Sequence, residues 1–148
     1  MSLDVSGFGL VVNLVASNTF PTGLVLTQFA ADTDPVDLPS VDIGEAEMGL
    51  NGDLITWAKA VPLNGTMAVI PGSADDLNLQ ILWDANRVAQ GKQSVQDSIT
   101  LTIVYPDLSQ VTLINGKIIS GPPGRSVLSS GKQKTKVYGF RFQNKIGG

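Results

Sequence analysis

The run SADDLNLQILWDANRVAQG, from Ser73 to Gly91, decides the fold, because no other stretch of the chain reads as a helix of any length. Ser73 fits an N-cap, with Asp76 three residues on where a capping box usually has Glu. Asp75 adds negative charge at the positive end of the helix dipole. Arg87 and Lys92 lie near the C-terminal end, and Gly91 suits a left-handed stop. Ala74, Leu77, Ile81, Ala85, Val88 and Ala89 recur at three- and four-residue steps and are expected to form the buried stripe. Leu79, Leu82 and Trp83 fall beside or opposite it, so the helix carries more apolar surface than one buried face needs. Either both sides pack within the chain's own domain, or the second side packs on another subunit.

On both sides of this helix the pattern is that of strands. Val5 to Ala16 reads as a strand buried largely on both sides, with Phe8, Leu10, Val12 and Leu14 on one face and Val11, Asn13 and Val15 on the other. Pro21-Thr22-Gly23 reads as a turn and Leu24 to Ala30 as the second strand of a hairpin over 5–30. Residues 31–53 form a long loop with seven acidic residues, a length that usually signals function or interaction. Leu54 to Ala60 carries Ile55 and Trp57 on one face, and Val61, Leu63, Met67 and Val69 line one face of the next segment. After the helix, Val95, Ile99, Leu101, Ile103 and Tyr105 alternate with Gln96, Ser98, Thr100 and Thr102, the clearest period-two run in the chain. Pro106-Asp107 turns the chain into Gln110 to Ser120, where Asn115-Gly116 is read as a bulge within one long strand rather than a hairpin turn. A flexible basic loop then leads to a last strand, Lys132 to Phe142, with Tyr138, Phe140 and Phe142 on a single face.

A length of 148 residues suits one domain, 1–148, and no run is apolar enough to cross a membrane. MSLDVSG lacks the basic region and apolar core of a signal peptide, so export by the usual route is not expected. There is no cysteine and no histidine, which removes disulfides, thiolate metal sites and the commonest general base. Catalysis is therefore not expected, nor is a cofactor or metal. The net charge of −3 hides a division: residues 1–84 hold eleven acids against Lys59 and sum to −10, while 85–148 hold nine bases against Asp97 and Asp107 and sum to +7. Segregated charge favours head-to-tail association if it survives as two patches, and is neutralised internally if the halves interleave in one sheet.

Several near-motifs fall short. SVLSSGKQ, 126–133, lacks the first Gly and the hydroxyl residue of a phosphate loop. Asp32, Asp34 and Asp37 lack the turn glycine and closing Glu of a calcium loop. The pairs Glu45/Glu47 and Asp75/Asp76 read as loop charge and helix-start charge ahead of an acid–base pair. Asn64-Gly65-Thr66 matches a glycosylation acceptor without a secretory context. Lys132, Lys134 and Lys136 share a strand face but have no interleaved aromatics, which suits a solvated or subunit-facing edge better than a phosphate track.

The stretches VDIGEAEMGLNGD (41–53), LITWAKAVPLNGTMAVIPGS (54–73), LNLQILWDANRVAQGKQS (77–94), VTLINGKIISGPPGRSV (111–127) and KTKVYGFRF (134–142), with the N-terminal strand pair, resemble the tail tube proteins of contractile-tailed bacteriophages. The resemblance implies a mainly β fold, a β-sandwich or barrel with one flanking α-helix at about residues 73–90. It also implies six-membered rings stacked into a hollow tube within a sheath, with sheath, baseplate and tail-terminator proteins as partners. On that reading the protein sits in the tail of a virion, is assembled in the host cytoplasm, and lets DNA pass without specific binding and without a membrane. Related tubes occur in bacteriocins and secretion systems. Asp42, Glu45, Glu47, Trp83, Lys132, Lys134 and Lys136 are the candidate subunit interface. Ser98, Thr100 and Thr102 are the candidate lumen face, because closing strands into a barrel points alternate side chains inward. An ordinary solvent-facing sheet is the other reading of those three residues. The alternative function is a monomeric β-sandwich module that binds carbohydrate or another protein.

Overall fold

The computed structural model describes residues 9–30 and 35–147, which form ten strands and one helix. In chain order these are β1 (Val11–Ala16), β2 (Phe20–Leu26), β3 (Val36–Asp37), β4 (Gly44–Met48), β5 (Leu54–Ala58), β6 (Leu63–Val69), α1 (Ala74–Ala85), β7 (Ile99–Val104), β8 (Gln110–Ser120), β9 (Lys136–Phe142) and β10 (Asn144–Gly147). Eight of the strands make one antiparallel sheet, in the order β2-β1-β7-β8-β9-β6-β3 with β10 also on β8; β4 and β5 pair apart from it. The mainly β expectation holds: the sheet folds on itself as a sandwich with one helix.

The fold-over happens along a bent ribbon. Asn115 takes φ 53° and adds one residue to β8 opposite β7, so the bulge read at Asn115-Gly116 is present. On its other edge β8 pairs first with β10 and then, past the bulge, with β9, in one continuous register on both sides of the bend. A Cβ on Gly116 would stand 2.2 Å from Cδ1 of Phe142, so the bend brings this backbone against an aromatic ring and only glycine fits. The inner faces of β1, β7 and β8 (Val12, Leu14, Ile99, Leu101, Ile103, Val111, Leu113) then meet those of β6 and β9 (Met67, Val69, Tyr138, Phe140, Phe142) in one buried cluster.

Several boundaries differ from the expected ones. The first hairpin turns at residues 17–19, and Phe20, Pro21 and Thr22 belong to β2. The reason is Asp97, which is fully buried at the start of β7. Its Oδ1 accepts from the backbone N–H of Asn18 (2.7 Å) and Thr19 (2.9 Å), and its Oδ2 takes the Thr19 hydroxyl. β1 is buried on one face, because β2 and β7 flank it and its Asn13 and Val15 point out of the sandwich; Val5 to Phe8 lie outside the described residues. Part of the expected acidic loop is strand: β3 and β4 fall within it, and β4 forms with β5 a hairpin closed by Gly49 N–H to Asp53 O (2.6 Å). β9 begins at Lys136 rather than Lys132, and a further strand, β10, follows it.

α1 begins as expected, with the Ser73 hydroxyl accepting from Asp76 N, but it ends at Asn86 rather than Gly91. The Asn86 amide donates to Leu82 O and Asp97 Oδ2 (both 2.9 Å), and its Oδ1 accepts from Asp97 N (2.9 Å). The buried face is a correction: Asp75, Asp76, Leu79 and Leu82 are inside, while Leu77 (52%) and Ile81 (54%) of the expected stripe are exposed. Two acids turn that face inward. Asp75 Oδ2 accepts from Thr27 N (2.8 Å) and Gln28 N (2.7 Å). Asp76 accepts from Gly72 N (2.8 Å), and its Oδ1 pairs with Lys136 Nζ (3.2 Å) and with the Tyr138 hydroxyl (3.0 Å).

Gly116→Ala is expected to cost roughly 2 to 4 kcal/mol, since Phe142 lies in the core and cannot retreat freely; the shift of the urea midpoint measures it. Burial pushes the Asp97 carboxyl up, but the hydrogen bonds from Thr19, Asn86 and Asn18 outweigh burial and leave it below its ordinary 3.8. A lowered folded value means stability present above the ordinary value and lost as pH falls through the folded one. Urea titrations from pH 5 to pH 2 should therefore show a shallower acid loss of stability in Asp97→Asn than in the wild type.

Candidate assembly interface

The expected interface residues fall on separate surfaces. Asp42, Glu45 and Glu47 lie on or beside the β4–β5 hairpin, every strand residue of which is exposed. Cross-strand pairing sets Glu45 beside Trp57 and Glu47 beside Ile55 on one side of this arm, and Met48 beside Leu54 on the other. Lys59 pairs with Glu45 (3.0 Å) at the base. Met48 (67%), Leu54 (65%), Ile55 and Trp57 are thus apolar side chains held out in solvent on a two-stranded ribbon.

Lys132 and Lys134 are exposed and stand in a tight excursion before β9. There Leu128 N–H donates to Lys132 O (2.8 Å) and Lys134 N–H to Ser126 O (2.7 Å). Lys136 does not belong with them. It is 5% exposed, bound to Asp76 and to Gln80 Oε1 (3.2 Å), so its charge is spent inside the sandwich. A buried carboxylate at the helix start required a cation, and strand alternation delivered Lys136 inward with Tyr138. Burial, the hydrogen bond to Asp76 and the charge of Asp76 together hold the Tyr138 hydroxyl protonated far above the ordinary range.

Trp83 is half-buried at the rim of the core, where it lies against Gly121. Arg87 stacks over its ring at 5.6 Å and pairs with Asp84 (3.1 Å). Leu77, Gln80, Ile81, Trp83, Asp84, Arg87 and Pro123 line a groove of about 650 Å3 along the outer face of α1. Sequence reading assigned Leu77 and Ile81 to the core because apolar spacing alone gives no phase when a helix carries apolar residues on two sides. The pair Asp75-Asp76 held the missing signal, in that buried acids mark a face as firmly as leucines do.

Ser98, Thr100 and Thr102 share the outward face of the sheet, Ser98 exposed and both threonines half-buried. Pairing widens that face to Val15 beside Thr100, Asn13 beside Thr102, and Thr112, whose hydroxyl is 3.3 Å from that of Thr102. Val104, Gln110 and Ile114 complete it, so the outer face of β1, β7 and the first half of β8 carries no ionisable side chain.

A separate cleft of about 340 Å3, with Leu38, Val41, Leu63, Tyr105, Leu113 and Lys145 among its walls, includes Asn64, whose Oδ1 is buried without a hydrogen-bond partner. That asparagine begins the glycosylation-like triplet and sits within β6, not in a loop. Among the described residues no group of three or more His, Cys, Asp or Glu side chains could hold a metal; Asp32 and Asp34 lie outside them. No described helix is long and apolar enough to cross a membrane.

A family model described as tail fiber protein gp32 matches residues 3–146. The chain belongs to that family. Its fold is shared with chains of contractile injection systems, though at low identity. One from the sheath/tube terminator of the extracellular PVC system in the extended state has TM-score 0.60 and 12% identity, over 99% of this chain and 97% of that one. One from the PVC sheath-tube complex has TM-score 0.60 and 10% identity, over 99% and 92%. One from the baseplate of the anti-feeding prophage has TM-score 0.57 and 15% identity, over 99% and 98%. No curated protein matches the chain in sequence. Membership of that family makes the chain a tail protein.

Ile81→Ala is expected to cost under about 1 kcal/mol of folding stability, because its side chain is half in water, whereas Leu82→Ala should cost roughly 2 to 5 kcal/mol. Urea unfolding of the two variants side by side checks this order, and equal losses would return the expected stripe to the core.

Proposed function

We propose that this tail protein is a self-assembling subunit of the inner tube of a contractile tail, stacked in rings, hexamers being the form implied by the tube resemblance, with DNA passing through the lumen. The observation that carries the reading is the uncharged outward face of Asn13, Val15, Ser98, Thr100, Thr102 and Thr112. A wall past which DNA slides must offer no fixed cation, since each phosphate contact with Lys or Arg adds affinity and drag. Antiparallel strands with small alternating side chains suit closure into a larger barrel with this face inward. The described residues form a compact sandwich, and the sequence shows no repeat of the kind an elongated fibre is built from, so a tube fits better than the fibre in the family's description. Sheath, baseplate and terminator proteins are the partners of such a tube. A monomeric binding module is the second reading, favoured by the cleft around the unpartnered Asn64 oxygen.

Purified protein should give rings or tubes in electron micrographs at high concentration, and the assembled tubes should retain no duplex DNA at physiological salt. Reversing Lys132 and Lys134 to Glu should weaken assembly without creating or abolishing any DNA binding. A monodisperse monomer by light scattering at every concentration and salt would favour the binding module instead. Tight, salt-sensitive DNA binding by wild-type tubes that vanishes in the reversed variant, with assembly left intact, would assign the lysines to DNA.

A further inference from the structure

Resting on the tube reading, we propose that the β4–β5 arm of one copy lies in the groove along the outer face of α1 of a second copy. Each surface lacks a cover of its own. A lone two-stranded hairpin is marginal in water, yet this one holds Met48, Leu54, Ile55 and Trp57 in solvent on its two sides. The groove holds Leu77 and Ile81 equally exposed beside Trp83 and Pro123, and no arm residue lines it.

Size and charge match the two. Five-residue strands reach about 17 Å at 3.4 Å per residue, and the twelve-residue helix extends about 18 Å at 1.5 Å per residue. The arm carries Asp42, Glu45, Glu47 and Asp53 against Lys59. The groove's surroundings carry Arg87 and Lys92 at one end and Arg125, whose guanidinium lies against Gly72, at the other, with Asp84 between. An acidic, apolar arm therefore meets an apolar groove in which Arg87 and Asp84 pair with each other and beside which Lys92 and Arg125 leave an excess of positive charge. Because the two patches differ, the contact is heterologous and repeats from copy to copy, as a ring or a stacked tube requires.

Leu54→Asp spoils the arm and keeps the groove, and Ile81→Asp does the reverse; both positions are exposed, so both variants should stay folded, with urea midpoints only slightly below that of the wild type. Each alone should raise the concentration at which assembly sets in by at least about tenfold. Mixed, they should form a one-to-one heterodimer on a sizing column, since one intact arm and one intact groove remain. As the chain has no cysteine, Leu54→Cys mixed with Ile81→Cys should also give a disulfide-linked dimer on oxidation, a readout that survives if either aspartate variant fails to fold. Wild-type tubes together with unlinked, monomeric mixtures would overturn the arm-in-groove contact and leave the tube reading standing, with another tail protein as the groove's occupant. A wild type that never assembles would overturn both.

Discussion

Buried carboxylates hold this fold together, and Asp97 ties the most chain. A carboxylate removed from water must be repaid with hydrogen bonds, and Asp97 receives them from the first hairpin turn and from the residue that ends the helix. One side chain thus sets where β1 turns, where α1 stops and where β7 starts. Asp75 and Asp76 act alike at the other end of the helix, binding the backbone after β2 and the cation and hydroxyl of β9. Between them the three acids set the rotation of α1 on the sandwich. That rotation leaves Leu77 and Ile81 outside.

The second constraint is the bend at Gly116. Without it β8 would continue flat, and the aromatic face of β9 would have no sheet to close against. With it, one long ribbon serves both layers, and the opposite face of β1, β7 and β8 is left as a smooth wall of threonine, asparagine and valine. Core and outer wall follow from the same alternation, one residue apart.

The surface is divided into three unlike parts. An acidic arm with apolar sides stands off the sandwich, a largely apolar groove holding the Arg87–Asp84 pair runs along the helix, and the uncharged wall belongs to neither. Family membership puts the chain among tail proteins, and the fold is one found in sheath-tube, baseplate and terminator assemblies of contractile systems.

What was legible in the sequence was whatever depends on near neighbours in the chain. The helix start at Ser73, the alternation of Ile99 to Ile103, the bulge at Asn115-Gly116 and the inward triplet Tyr138, Phe140 and Phe142 all follow from local capping, period and glycine placement. Tertiary structure alone decided which face of α1 is buried, that Lys136 turns inward while Lys132 and Lys134 stay outside, and that the acidic stretch is an arm rather than a loop. The first two share a reason. A charged residue reads as solvent-facing until its partner is known, and the partners of Asp75, Asp76 and Asp97 lie 47 to 79 residues away in the chain, with Gly72 and Asn86 the nearer exceptions.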